Sequence, residues 1–429
     1  MRMLYFLAWA IALPFLFIYL TWRARRQPEY LQHWRERLGW APRRGHKPRL
    51  LVHAVSVGET RAATPLIHAL RSAYPGHEIL LTHTTPTGRE TGRALFGDAV
   101  VQAYLPYDFP PLLRLFLARA RPERCVFMET EIWPAFFATC RQRGIPVYLV
   151  NARLSERSAR GYRRFHRLVA DTLAQLSGIA AQTAQDAARL EALGGKNIQV
   201  TGNLKFDVPL RDEGNAVADE FRQRFQGRFV FLAASTRDGE ETPLLEAFAR
   251  HADAESLLLL VPRHPQRFAE VGNMIEASGM PWGRRGDPLS LREDLRVFLG
   301  DSMGEMAVYY ACADVAYIGG SLLPFGGQNL IEAAASGCPV LIGPHTWNFE
   351  EAAEQAVAEG CALRVEDWDA LFAAVARLRE DTPARLAMAA AGRRFAAENR
   401  GATERVMRMI VGAAPGSAQP IPSAAHPAP

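Results

Sequence analysis

Lysine is nearly missing from this chain of 429 residues: Lys47, Lys196 and Lys205 are the only three among fifty basic side chains. Arginine is therefore the ordinary cation here, and a compact ammonium stands out against it. Cysteine is sparse too. The five thiols, Cys125, Cys140, Cys312, Cys338 and Cys361, are odd in number, widely spaced and form no C-x-x-C pair. They encode neither a disulfide framework nor a zinc site, and a reducing compartment is the simpler home. The fingerprints G-x-G-x-x-G and G-x-x-x-x-G-K-[ST] are both missing, which argues against a dehydrogenase and a P-loop enzyme. No short-period repeat recurs. What remains is 48% apolar and 22% charged, the balance of a well-packed chain of two or three domains.

Charge is uneven along the chain. Residues 1–50 carry ten Arg or Lys against Glu29 and Glu36, net +8, which leaves −3 for the remainder. A near-neutral body with a basic end suits an anionic membrane surface better than a nucleic-acid groove, so no nucleic acid is expected as a partner. From Met3 to Leu20 the chain reads eighteen residues without a charge, reaching roughly 27 Å as a helix, just short of a hydrocarbon core. Trp22, Arg23, Arg25 and Arg26 follow, an aromatic anchor and a basic cluster rather than a cleavage site. The expectation is a retained anchor over 1–22, with the body on the cytoplasmic side by the positive-inside rule. A buried or interfacial helix interrupted by Pro14 is the alternative.

Beyond residue 45 short apolar runs alternate with helical patterns, as in parallel sheets with crossover helices. In the first half the expected strands are 49–57, 78–85, 100–107, 124–128, 147–151, 178–182 and 198–201. A polar stretch, 208–227, reads as the connection. The second half restarts with 228–234, 256–261, 297–300, 315–318, 339–342 and 362–365. This predicts an N-terminal Rossmann-like domain over 23–207 and a C-terminal one over 228–412. The two are expected to face a cleft, with ligands outside the carboxyl ends of the strands. The Pro- and Ala-rich segment 413–429 reads as a disordered tail.

Several strand ends carry chemistry. Glu59 follows the first strand at a helix start, where the helix dipole should keep its carboxylate ionised; it is either a base or only the dipole's partner. Glu129 and Glu131 lie in Met128-Glu129-Thr130-Glu131-Ile132-Trp133-Pro134, as a metal pair, a substrate holder or a plain acidic first turn. Lys205, where the two halves meet, can steady developing negative charge or be mere drift. Arg153, Arg157, Arg160, Arg164 and Arg167 recur at spacings of four and three opposite Tyr162, Phe165, Val169, Leu173 and Leu176. This predicts one helix with a basic face toward lipid headgroups, a phosphorylated acceptor or plain solvent. In the second half, Pro262, Arg263 and His264 close a strand, Met303, Gly304 and Glu305 open a helix, and Gly319-Gly320 leads to Asn329, Leu330, Ile331 and Glu332. Glycine-rich turns before helices, with an Arg fork and an acid for ribose hydroxyls, point to a nucleotide. Asp367-Trp368-Asp369 reads as a helix cap rather than a metal motif.

With these residues assembled, the chain resembles the bacterial 3-deoxy-D-manno-octulosonic acid (Kdo) transferases over nearly its whole length, to about residue 400. The segments that carry the likeness are HAVSVGET (53–60), METEIWP (128–134), VNARLSERS (150–158), TGNLKFD (201–207), VPRHPQRF (261–268), GDSMGEM (300–306) and GGQNLIEAAASGCPVLIGPHTWNF (326–349). The resemblance implies a glycosyltransferase-B fold and inverting transfer of Kdo from CMP-Kdo to a lipid A precursor, lipid IVA. It places the chain at the cytoplasmic face of the bacterial inner membrane, in lipopolysaccharide core synthesis. No metal or cofactor is expected. Glu59 then matches the general base. Lys205 and an acid of the METE segment, Glu131 preferred over Glu129, match groups that assist the transition state. Pro262-Arg263, Met303 to Glu305 and Asn329 to Glu332 match the donor-binding segments. The rivals are another lipid-directed sugar-nucleotide transferase, a sugar epimerase of the same fold and a non-catalytic lipid A-binding factor.

Overall fold

A computed structural model describes residues 2–25, 28–43, 45–207, 214–225, 227–253, 255–287, 290 and 292–412. The expected tail and residues 208–213 of the expected connection lie outside them. The chain divides into two compact units, Met1–Val208 with Arg400–Pro429, and Pro209–Asn399.

Each unit is built on a seven-stranded parallel sheet. In the first, the strands are β1 (Arg49–His53), β2 (Glu78–His83), β3 (Val101–Tyr104), β4 (Arg124–Met128), β5 (Val147–Ala152), β6 (Gly178–Ala181) and β7 (Ile198–Val200). They are ordered β3-β2-β1-β4-β5-β6-β7. The second holds β8 (Phe229–Thr236), β9 (Ser256–Pro262), β10 (Trp282–Arg284), β11 (Val297–Leu299), β12 (Val315–Ile318), β13 (Val340–Ile342) and β14 (Ala362–Arg364). Its order is β10-β11-β9-β8-β12-β13-β14. Central strands such as β1 and β9 are buried at every position, so their middles, Leu50 to Val52 and Leu257 to Val261, read as apolar runs rather than as an alternation. The crossover helices are one-sided instead: Thr64–Ala73 turns Leu66, Ile67 and Leu70 inward and leaves Arg71 and Ser72 outside.

In both sheets the chain leaves the central strand in one direction and later returns on its other side. The reversal lies between β1 and β4 in the first unit and between β8 and β12 in the second. Such a switch point opens a crevice at the carboxyl ends of the strands. Gly319 shows how closely the two strand ends approach in the second unit. A Cβ there would sit 2.5 Å from the Ser235 carbonyl oxygen, so no larger residue fits.

Three expectations change. β10 was not read, since Trp-Gly-Arg offers neither an apolar run nor an alternation. Residues Gly214–Arg224 of the expected connection form a helix, with Phe221 and Phe225 stacked on each other and meeting Phe298 of β11 at tilted and edge-on angles. The last helix, Ala402–Gly412, lies in the first unit rather than the second. It buries Ala402, Val406, Met407 and Ile410 in the core beside Leu66, Ile67 and Leu70.

The expected membrane span is corrected as well. The helix Arg2–Ala24 forms, but among the described residues no helix is long and apolar enough to cross a membrane. One face of it docks on the first unit. Tyr5 Oη donates to Asp108 (2.8 Å), Trp9 stacks against Tyr107, and Leu20 and Ala24 pack with Tyr30. Asp108 is buried, accepts the backbone N–H groups of Ala135 and Phe136, and is raised to about 6 by its burial against these bonds. The outer face keeps Ile11, Phe15, Tyr19 and Trp22 exposed, at helical spacing.

Candidate active site

The strand β1 ends at His53, and the turn after it is set by a variant of the capping box in which the carboxylate reaches the N–H of Val55 rather than that of the N-cap Ser56. Ser56 Oγ accepts from Glu59 N–H (3.3 Å) and donates to the Glu59 carboxylate (3.1 Å), whose other oxygen accepts from Val55 N–H (2.9 Å). Glu59 is only 9% exposed. Burial raises its carboxyl to about 8 against the Val55 hydrogen bond, and the charges of Glu129 and Glu131 push the same way. The expectation of a carboxylate kept ionised by the helix dipole is therefore overturned. The helix Val57–Ala62 has six residues, and lost hydration outweighs what so short a dipole returns.

Glu129 and Glu131 follow β4, on the other side of the switch point, so three carboxylates gather around one crevice. Glu129 sits at φ 54°, a left-handed backbone rare for its residue type. Thr130 ties this turn down by donating to the Arg153 carbonyl. Glu131 accepts from Trp133 Nε1 (2.7 Å), and burial raises its carboxyl too. His53 Nε2 lies 3.9 Å from the same oxygen, but the imidazole is fully buried, between Phe127 and Trp133, and is lowered to about 3. It is neutral, so the contact is no ion pair. Among the described residues no three His, Cys, Asp or Glu side chains form a metal-holding group.

Lys205 lies on the turn Leu204–Asp207, which packs against Val57–Ala62, the helix that carries Glu59. Asn151, fully buried at the end of β5 with φ 53°, fixes that turn: its Oδ1 accepts from Leu204 N–H (3.0 Å). The arginine series is not one helix. Arg153 precedes Glu156–Arg163, which bears Arg157 and Arg160; Arg164 falls in a break, and Arg167 belongs to His166–Leu173. The first helix closes on i to i+3 bonds at Arg164 and Phe165 just after Gly161, which turns Phe165 outward. Arg157, Arg160, Arg164 and Arg167 remain exposed.

In the second unit the expected donor residues all follow carboxyl ends. Pro262 ends β9, and Arg263 N–H donates to the Thr236 carbonyl of β8 (3.0 Å). His264 is exposed; burial first, then the charges of Arg237, Arg263 and Arg267, lower it. After β11, Met303 is 63% exposed, Gly304 has φ 81°, and Glu305 pairs with Arg285 through both oxygens (3.0 and 3.1 Å). After β12, Asn329 accepts from Ile331 N–H and donates to Glu332 (2.9 Å), while Leu330 and Ile331 are buried. The helices Met306–Cys312 and Ile331–Ala335 have only seven and five residues, so the charge available to an anion rests on side chains more than on helix dipoles. Asp367 caps its helix, accepting from Ala370 N–H.

Residues 32–208 match the family model described as 3-deoxy-D-manno-octulosonic-acid transferase (kdotransferase). A 3-deoxy-D-manno-octulosonic acid transferase of Bordetella pertussis is 42% identical over 95% of this chain and 98% of its own length. The chain belongs to the Kdo transferase family. A second member, from Haemophilus influenzae, is 37% identical over 93% of this chain and 96% of its own length. Among solved structures, a UDP-GlcNAc 2-epimerase from Neisseria meningitidis shares the fold. Its TM-score is 0.56 at 15% identity, over 85% of this chain and all of that one. Membership makes the chain a glycosyltransferase, and the two parallel-sheet α/β domains are the architecture such an enzyme uses.

Within each unit of this Kdo transferase, further residues at the strand ends lie outside the candidates drawn from the motifs. Asn151 was read only as a strand end, although a buried asparagine closing an apolar strand is itself a signal of a side chain serving as a backbone partner. Arg285 follows the unread β10. Arg237, Glu240 and Glu241 follow β8 in Ser235-Thr236-Arg237-Asp238-Gly239-Glu240-Glu241, a polar strand end of the same kind as those singled out.

Proposed function

We propose that the protein transfers Kdo from CMP-Kdo to a lipid A precursor, lipid IVA, inverting the anomeric carbon in one displacement without a metal. The observation that carries the reading is the Glu59 carboxyl, buried at the switch point of the first sheet with Glu129 and Glu131 around it and raised to about 8. A carboxylate of that basicity takes a proton from a sugar hydroxyl far better than an ordinary one. The oxygen so activated attacks the anomeric carbon, the bond to the CMP phosphate breaks, and the electron pair leaves with CMP. Arg263 offsets the phosphate charge, Lys205 and Glu131 or Glu129 assist at the reacting sugar, and Asn329 to Glu332 hold the nucleoside.

The acceptor is a lipid, and the exposed Ile11, Phe15, Tyr19 and Trp22 followed by Arg23 and Arg25 support attachment to the cytoplasmic face of the inner membrane. The helix would lie along the surface rather than through it. Mass spectrometry of the product from purified protein, CMP-Kdo and a tetra-acyl precursor tests the reading. One added Kdo or more, with CMP released and the rate unchanged by EDTA, is expected. Intact acceptor would reject it, and loss of turnover in EDTA would reject the metal-free step.

A further inference from the structure

The loop after β8 places an arginine beside the donor segments that neither the family likeness nor the motif reading assigned. Glu240, fully buried, accepts from the backbone N–H groups of Arg237 (2.8 Å) and Gly320 (2.7 Å) and from Tyr317 Oη (2.6 Å). One carboxylate thus clamps the ends of β8 and β12 together at the switch point of the second sheet and fixes where Arg237 begins. Its side chain then runs past Gly320, where a Cβ would lie 3.2 Å from Arg237 Cγ. The guanidinium lies over the Phe325 ring at 4.8 Å, and Nη1 donates to His264 Nε2 (2.9 Å). Arg267 next to it is spent on Glu241, Glu270 and Asp238. Among the described residues Arg237 makes no ion pair, and its Nε and Nη2 have no acceptor.

The neighbours come in an order. Asn329 bonds to Glu332, Tyr310 senses the charges of Glu332 and Arg263, His264 follows Arg263, and Arg237 bonds to His264. Reading the donor as a nucleotide held at Glu332 with its phosphate at Arg263, the next group along is the sugar. Kdo differs from ordinary transferred sugars in carrying a carboxylate. A guanidinium held over a ring, with its Nε and Nη2 donors still open, is built for a planar carboxylate.

We infer that Arg237, steadied by His264 and Phe325, binds the carboxylate of the donor sugar and selects an acidic sugar over a neutral one. This rests on the proposed CMP-Kdo reading. The test compares the KM for CMP-Kdo with the inhibition constant of CMP, which has the phosphate but no sugar carboxylate. In R237A the KM should rise about 10- to 100-fold, the worth of a charge-assisted hydrogen bond, while CMP inhibition changes less than about twofold. R237K, which keeps the charge and loses the fork, should show a smaller rise with the same asymmetry, and decides the matter if R237A does not fold. Equal losses for both ligands would put Arg237 on the phosphate, and no loss for either would leave it outside the donor site; each result overturns the inference. Failure of the wild-type protein to be inhibited by CMP at all would instead reject the donor reading on which it depends.

Discussion

Glu59 does two things that conflict. Its carboxyl closes a capping box, which favours the fold, yet it is buried beside two further acids, which opposes ionisation. Glu59→Gln keeps the box, since glutamine serves there as well as glutamate, but cannot take a proton. Turnover should fall about 10²- to 10⁴-fold with CMP binding retained, as measured by initial rates and by CMP inhibition. In the wild-type enzyme kcat/KM should climb about tenfold per pH unit below about 8 and level above it; a profile flat from pH 6 would separate Glu59 from the proton transfer. The raised value also enters stability. Between the ordinary carboxyl range and about 8 the folded chain holds a proton that the unfolded chain releases, so folding weakens as pH rises through that window. Glu59→Gln removes this term, so its Tm advantage over the wild type should be larger at pH 8 than at pH 5, read by thermal melts of both proteins. Glu59 was legible as a candidate because it stands at a strand end. Its protonation was not, because burial is a property of what surrounds the turn.

Among the elements, strands were the most legible. Thirteen of the fourteen strands among the described residues were placed from apolar runs between helical patterns, because the middle of a parallel strand covered on both faces favours apolar side chains. β10 has three residues and a glycine, too little for any pattern to show. The arginine series misled because its spacing of four and three fits one helix, whereas the chain breaks at Arg164 and Phe165 and begins a second. In the N-terminal helix the sequence shows uniform apolarity but not that two apolar faces have different fates, one against Tyr107 and Asp108 and one left outside. Replacing Ile11, Phe15 and Trp22 together with glutamine removes only the outer face. Co-sedimentation with anionic vesicles should then drop at least about tenfold, each large apolar side chain being worth about 1.5–3 kcal/mol, with the melting temperature unchanged. Unaltered vesicle binding would assign the membrane contact elsewhere, and a lowered melting temperature would mean the stripe also supports the fold.

For the molecule as a whole, the return of the chain to its first unit is the feature that pattern reading could not supply. Asp207 accepts from the Gly401 and Thr403 N–H groups, Arg405 donates to the Thr201 carbonyl, and Val406, Met407 and Ile410 complete the core over the helix Thr64–Ala73. Truncation after Asn399 should therefore destabilise the first unit, although every residue removed lies at the far end of the chain. The loss is about 1.5–3 kcal/mol for each of the three large side chains, and domain-resolved hydrogen exchange should find it in β1, β2 and β4 rather than in β8 to β14. Loss of protection in the second sheet instead would contradict the assignment. The amino-acid order by itself determined two parallel sheets, which strand ends carry acids and which carry arginines, and the family, since periodicity and motif are local and survive without coordinates. Only the tertiary structure decided the protonation of Glu59, the two faces of the N-terminal helix, the clamp of Glu240 on Arg237 and Gly320, and the unit to which the last helix belongs. Each of these depends on removal from water or on contacts between residues far apart in sequence, and neither is written in any one segment.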